Sequence, residues 1–263
     1  MNTDLTPLIE VLEVVKPYLA DIVLVGGWVP IVYAECTSIY RTKTMGTGDV
    51  DLACPHPLDV KGEAVDHLLT GAGFQCELSG DTKIPYCKYV KGQELEIEFL
   101  TPLKGDGSTE VEKLQEGLMA EALRYLDVLL AHTDTVEIDE DLVVRVPLIS
   151  AFLFQKGLSF PERRSQLKLD KDLYYIFKVV ETVDREYLMS ELNEVLGCHP
   201  GKWRRKFDQN LRKAFGDEHS YGVIAVVKQL AEIPEEQGDR DVLSMRVLTA
   251  MEDFLVNLTT LAA

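Results

Sequence analysis

Asp49 and Asp51 flank a single valine in the stretch TGDVDLAC (residues 47–54), at the start of an otherwise apolar run. In an extended strand, positions i and i+2 face the same side about 6–7 Å apart. The two carboxylates would therefore confront one another beside residues suited to a core. Like charges at that range raise each other's pKa unless a cation intervenes. Mg2+ fits the need, since it is a hard cation that accepts carboxylate oxygens and often bridges them to substrate phosphates. Two such ions about 3.5–4 Å apart could activate an attacking hydroxyl and stabilise a departing pyrophosphate.

This chemistry usually takes a third carboxylate. ELEIEFL alternates strictly, with Glu94, Glu96 and Glu98 on one face and Leu95, Ile97 and Phe99 on the other. Either Glu96 or Glu98 could supply it. Glu98 is favoured because it immediately precedes Phe99-Leu100 and the strand's end at Thr101-Pro102. Upstream, IVLVGG (22–27) reads as a buried strand ending in Gly26-Gly27, and WVPIVYAE continues as a helix. Glycines let backbone N–H groups approach a phosphate, and a helix N-terminus adds positive potential. Gly26, Gly27 and Thr47 are thus candidates to hold a triphosphate.

The elements that position these residues follow from the pattern. Residues 5–20 have helical spacing after Thr6-Pro7, interrupted near the end by Pro17. Residues 37–48 are a Thr- and Gly-rich loop, DVDLAC a strand, and residues 58–73 a helix with a glycine stop. FQCELS, PYCKYV and ELEIEFL are further strands, TPLKGDGSTE a polar turn and residues 121–131 a helix. TVEID and LVVRV form a hairpin across Glu140-Asp141. From Pro147 onward the pattern is helical, with turns at CHPG, FGDEH and EIPEEQGD. The expected fold class is α+β: a mixed β-sheet domain with flanking helices over residues 1–147, then a helical domain over residues 148–263.

Composition sets the class of protein. The 263 residues are 46% apolar and 27% charged, ordinary values for a globular chain. No apolar run approaches the roughly 20 residues of a membrane span, and the N-terminus lacks a secretory signal, so the cytoplasm is the expected location. Five dispersed cysteines form no CxxC pair, which argues against a disulfide framework or structural zinc. Cys54 and His56 alone are weak as metal ligands. The net charge of −17 argues against a protein that coats nucleic acid. Residues 1–147 carry 11 Lys+Arg against 26 Asp+Glu, a net of −15, and residues 148–263 carry 16 against 18, a net of −2. Within the latter, KWRRKFDQNLRK (202–213) has six basic residues and one acidic, with Trp203 among them. Such a segment could contact a phosphate backbone and stack a base.

Each feature alone has a bland reading. Gly-Gly could be a tight turn, the Glu94/96/98 face a solvated edge strand, and the basic run a charged helix with Trp203 in the core. Their conjunction in one order is what carries weight.

GGWVP, TGDVDL and EIEFLTP in that order resemble the nucleotidyltransferase superfamily, whose pattern is hG[G/S], then hDh[D/E]h, then h[D/E]h, where h is hydrophobic. The 21 residues between Gly27 and Asp49 exceed the common spacing, as an enlarged loop would. FLFQKGLSFPERRSQLKLDKDLYYIF (152–177) further resembles a motif of the abortive-infection (AbiEii-like) toxin branch: a lysine, basic residues, then (R/K)D and a helix. Lys156, Arg163 or Arg164, Lys168 and the Lys171-Asp172 pair are the matching positions. The resemblance implies a Mg2+-dependent enzyme that transfers an NMP from an NTP to an acceptor hydroxyl. Asp49, Asp51 and Glu98 would be its catalytic and metal-binding residues. Lys156 and Lys171 would neutralise the triphosphate, with Asp172 positioning a lysine. It also implies RNA as one acceptor class, beside protein or a small molecule, and an antitoxin partner. Tyr175 stands where the branch often has a second acid, and Met45 where its loop often has an arginine, with Arg41 or Lys43 as substitutes. Those departures suit the alternative, a catalytically inactive nucleotide-binding or protein-interaction module of the same fold.

Overall fold

The computed structural model describes residues 4–40, 47–80, 85–92, 95–104 and 110–260. Arg41, Lys43, Met45 and Glu94 lie outside them. The chain divides into two units, Met1–Ser38 with Lys43–Leu148, and Ile39–Thr42 with Ile149–Ala263.

The first unit opens with α1 (Thr6–Val14), which has a proline in its first turn and buries Leu8, Val11 and Leu12. Pro17 falls in a separate short turn, Lys16–Tyr18. Then come β1 (Val23–Val25), α2 (Trp28–Cys36), β2 (Asp49–Ala53), α3 (Val65–Gly71), β3 (Gln75–Ser79), β4 (Tyr86–Lys91) and β5 (Leu95–Pro102). They are followed by β6 (Val111–Gln115), β7 (Leu118–Leu123), α4 (Leu126–Ala131), β8 (Thr133–Asp139) and β9 (Leu142–Pro147). Among the described residues, seven strands form one mixed sheet in the order β1-β2-β5-β4-β3, with β7 also on β5 and β6 on β7. The β2–β5 and β5–β7 pairs are parallel, and the others in the sheet are antiparallel. The expected hairpin is present as β8–β9, with Asp141 of its turn at φ 63°.

The two faces of the sheet differ in a way the alternation dictates. Val50, Leu52, Ile97 and Phe99 are buried on one face. There Tyr89 meets Phe99 edge to face at 6.0 Å and donates its hydroxyl hydrogen bond to Asp66 of α3. The other face is acidic at the N-terminal ends of β2 and β5. It becomes apolar further along, where Val23, Val25, Ala53 and Leu100 pack with Leu126 and Leu129 of α4.

Two expected elements are corrected. The helix expected over residues 58–73 is confined to α3, because the preceding segment is held by side chains distant in sequence: Tyr18 donates to the Glu63 carbonyl and accepts from the Lys61 N–H. The helix expected over residues 121–131 begins only at Leu126. Residues before it form β7, whose Leu118, Ala120 and Ala122 are buried on alternate positions, and β6 occupies chain to which the sequence pattern assigns no element.

The second unit holds α5 (Ile149–Ser159), α6 (Gln166–Thr182), α7 (Arg185–Gly197), α8 (Gly201–Ala214), α9 (Tyr221–Glu232) and α10 (Arg240–Thr260). Ser165 and Asp184 cap α6 and α7 with their side-chain oxygens. α5 packs on α6, α7 and α8, and α6 on α9 and α10. Its core is aromatic, with Phe152, Phe154, Phe160, Tyr174, Tyr175 and Phe177 all buried.

Candidate active site

β2 and β5 run parallel with Asp49 opposite Glu96 and Asp51 opposite Glu98. Neighbouring strands lie about 4.8 Å apart, so this register collects four carboxylates on the acidic face. Val50 and Leu52, and Ile97 and Phe99, anchor the two strands from behind. Glu98 is the more enclosed of the two glutamates, its side chain 13% exposed against 35% for Glu96.

Gly26 closes one side. β1 pairs Val25 with Asp51, and the chain then turns at Gly26 with φ +69°. A Cβ at Gly26 would lie 1.9 Å from Asp51 Oδ2, so the backbone passes directly against that carboxylate. Gly27 plays a different part: it is in a helical conformation (φ −68°, ψ −20°) and caps α2. Its helix points the positive end of its dipole at this turn. Thr47 lies two residues before β2 and is half-buried.

The cation beside these acids is one the sequence reading missed. Lys88 of β4 sits opposite Glu98 in the antiparallel β4–β5 register. Its Nζ is ion-paired with Glu96 and lies 3.8 Å from Glu98 Oε1. Burial works against its charge. The hydrogen bond to Glu96 and the fields of Glu96, Glu98 and Asp49 outweigh that and hold its pKa above the ordinary lysine value. The available signal was a lysine between the apolar Cys87 and Tyr89, which puts it on the opposite face of the strand. Which strand that face meets is fixed only by the fold.

Among the described residues, no group of three or more His, Cys, Asp and Glu side chains closes on a common point as a ready-made metal cage. The donor set nevertheless fits Mg2+, which takes one or two carboxylates and completes its shell with water and substrate phosphate oxygens. Asp49 and Asp51 on one strand face, with Glu98 in register, offer such an open oxygen set. Cys54 is buried with its thiol pKa pushed up. His56 lies near Glu112, at 3.6 Å.

Lys156, Lys171 and Asp172 belong to the second unit. Asp172 is buried and accepts from Lys156 Nζ at 2.5 Å and from Arg163 Nε at 2.6 Å. Burial alone would raise its carboxyl pKa, but the charges of Lys156 and Arg163 bring it below the ordinary 3.8. The Tyr175 ring centroid is 6.0 Å from Lys156 Nζ and 5.9 Å from Lys171 Nζ, a π face that attracts cations. In α8, Phe207, Leu211 and Ala214 are buried. Trp203 is half-buried and stacks on His199, 5.4 Å between centroids and 18° between planes. Lys206 pairs with Glu162 and Arg212 with Asp208.

A family model described as Nucleotidyltransferase matches residues 4–197. No curated protein matches the chain.

Proposed function

Because the chain belongs to the nucleotidyltransferase family, whose substrate is an NTP, we propose that it transfers an NMP to an acceptor hydroxyl through Asp49, Asp51 and Glu98. The observation that carries this reading is the β2–β5 register, which sets Asp51 against Glu98 beside the close approach of Gly26. Asp49, Asp51 and Glu98 are the residues that would hold Mg2+, which when bound would screen the triphosphate and favour attack at its α-phosphorus. The acceptor oxygen bonds to that phosphorus as its bond to the pyrophosphate oxygen breaks. The hydroxyl proton passes to Glu98 and then to water. Gly26, Gly27 and Thr47 are assigned to the triphosphate, the glycines through their backbone N–H groups and the N-terminus of α2. Glu98 is preferred to Glu96 as third carboxylate, since it is the more enclosed of the two and Lys88 lies closer to Glu96 than to Glu98.

From the resemblance, Lys156 and Lys171 are assigned to neutralising the triphosphate and Asp172 to positioning Lys156. A toxin-like role with RNA as acceptor and an antitoxin as partner rests on the same resemblance, with α8 as the RNA-contacting segment. Among the described residues no helix is long and apolar enough to cross a membrane, and we place the protein in the cytoplasm. The second reading is a nucleotide-binding module without turnover. The pairing of Lys88 with Glu96 and Glu98 favours it, because a lysine already balances those acids.

The test is transfer of label from each α-labelled NTP, with Mg2+, into an extract of total RNA, protein and metabolites. Label in an acceptor with the natural protein and none with Asp49→Asn is the expected result. Nucleotide that raises the melting temperature without any transfer would select the binding module.

A further inference from the structure

Lys88 stands where the chemistry proposed above would bring a divalent cation. It is opposite Glu98 in register, paired with Glu96 and within the field of Asp49. A half-buried cluster of like carboxylates is costly without positive charge among them, and among the described residues Lys88 is the cation ion-paired with Glu96 and Glu98. Its side chain is 22% exposed, and a lysine's four-carbon stem lets the ammonium move without the strand moving. We propose that Lys88 is a tethered competitor for the metal: its ammonium holds Glu96 and Glu98 while no divalent ion is bound and swings aside when one enters, so that it sets the metal concentration the site requires.

The proposal rests on the metal-site reading of Asp49, Asp51 and Glu98, and it makes a demand that reading does not. Removing the competing positive charge should tighten the binding of a divalent ion about tenfold in a partly solvated site. Glu96, being partly exposed, can be solvated once Lys88 is replaced, so the fold should survive the change.

The experiment is a titration of the full chain with Mn2+, followed by the loss of the free-ion electron paramagnetic resonance signal, with and without a non-hydrolysable NTP analogue. Lys88→Met should reach half-saturation at about one tenth of the natural protein's Mn2+ concentration. Lys88→Arg, which keeps the charge, should lie close to the natural protein, and Asp49→Asn/Lys88→Met should lose the gain. Folding of each variant is checked by circular dichroism, and Lys88→Gln serves if Lys88→Met fails to fold. Unchanged or weaker Mn2+ binding on loss of the lysine charge overturns the Lys88 proposal and leaves the metal site standing. Weaker binding of the analogue with Mn2+ binding unchanged would instead make Lys88 a phosphate contact. A natural protein that binds no Mn2+ in either condition removes the site and the proposal together.

Discussion

At Gly26 a single methyl group decides whether the carboxylate of Asp51 keeps its place. The residue has φ +69°, and the added Cβ would fall 1.9 Å from Asp51 Oδ2. Gly26→Ala therefore carries two penalties. The left-handed backbone costs about 1–2 kcal/mol for a residue with a Cβ, and the Asp51 side chain must also rotate away from the acidic face. Transfer should be lost even where the protein remains folded. Gly62→Ala separates the two effects, since Gly62 has φ +77° with nothing within 4 Å of its would-be Cβ. It should lower the unfolding free energy by a similar 1–2 kcal/mol and leave transfer unchanged. Measuring urea midpoints and transfer rates for both variants checks this, and equal activity in the two would sink the role given to Gly26. Asp49→Asn is the complementary change. It removes charge without altering volume, so it should abolish transfer while the melting temperature holds.

Along α6 the burial of Asp172 matters more than its sequence neighbours. With Lys156 only 8% exposed and Arg163 beside it, Asp172→Asn leaves a buried ammonium without its counter-charge and should cost about 3–5 kcal/mol. The carboxyl pKa is lowered on folding, so the native state binds the proton more weakly than the unfolded chain. The stabilisation is complete above about pH 5 and is lost progressively as pH falls below about 4 through the depressed value. Urea midpoints across pH 3 to 7 should show this acid-side loss in the natural protein and less of it in Asp172→Asn. The same scale explains what could be read beforehand. DVDL and LEIEF declare their strands because apolar and acidic residues alternate along them, and the turns at CHPG, FGDEH and EIPEEQGD separate α7, α8, α9 and α10. LMAEAL is a strand despite consisting of good helix formers, because β5 and β6 pair with it from distant parts of the chain. The non-helical path before α3 depends on the Tyr18 hydroxyl, more than 40 residues away. At the site, the acids were legible from period two, whereas Lys88 needed the β4–β5 register.

For the whole molecule, charge is the property with the longest reach. A net of −17 repels a polyanion, so any RNA contact has to be local, and α8 is where the chain concentrates positive charge. Part of that charge is already committed: Lys206 pairs with Glu162, and Arg212 with Asp208. Lys202, Arg205 and Lys213 are exposed and share one helical face, opposite the buried Phe207 and Leu211. Three phosphate contacts to a single strand predict that log K falls with log salt at a slope of about −2. Lys202→Ala/Arg205→Ala should flatten that slope to about −0.7 and weaken binding alike for every sequence, because phosphate contacts carry no base preference. Filter binding of oligo(U) and a mixed-sequence RNA from 50 to 300 mM salt reads both quantities. A steep slope untouched by the double variant would move the contact off α8. Binding too weak to measure at the lowest salt would count against RNA as the acceptor and leave a small molecule or protein hydroxyl to receive the nucleotide.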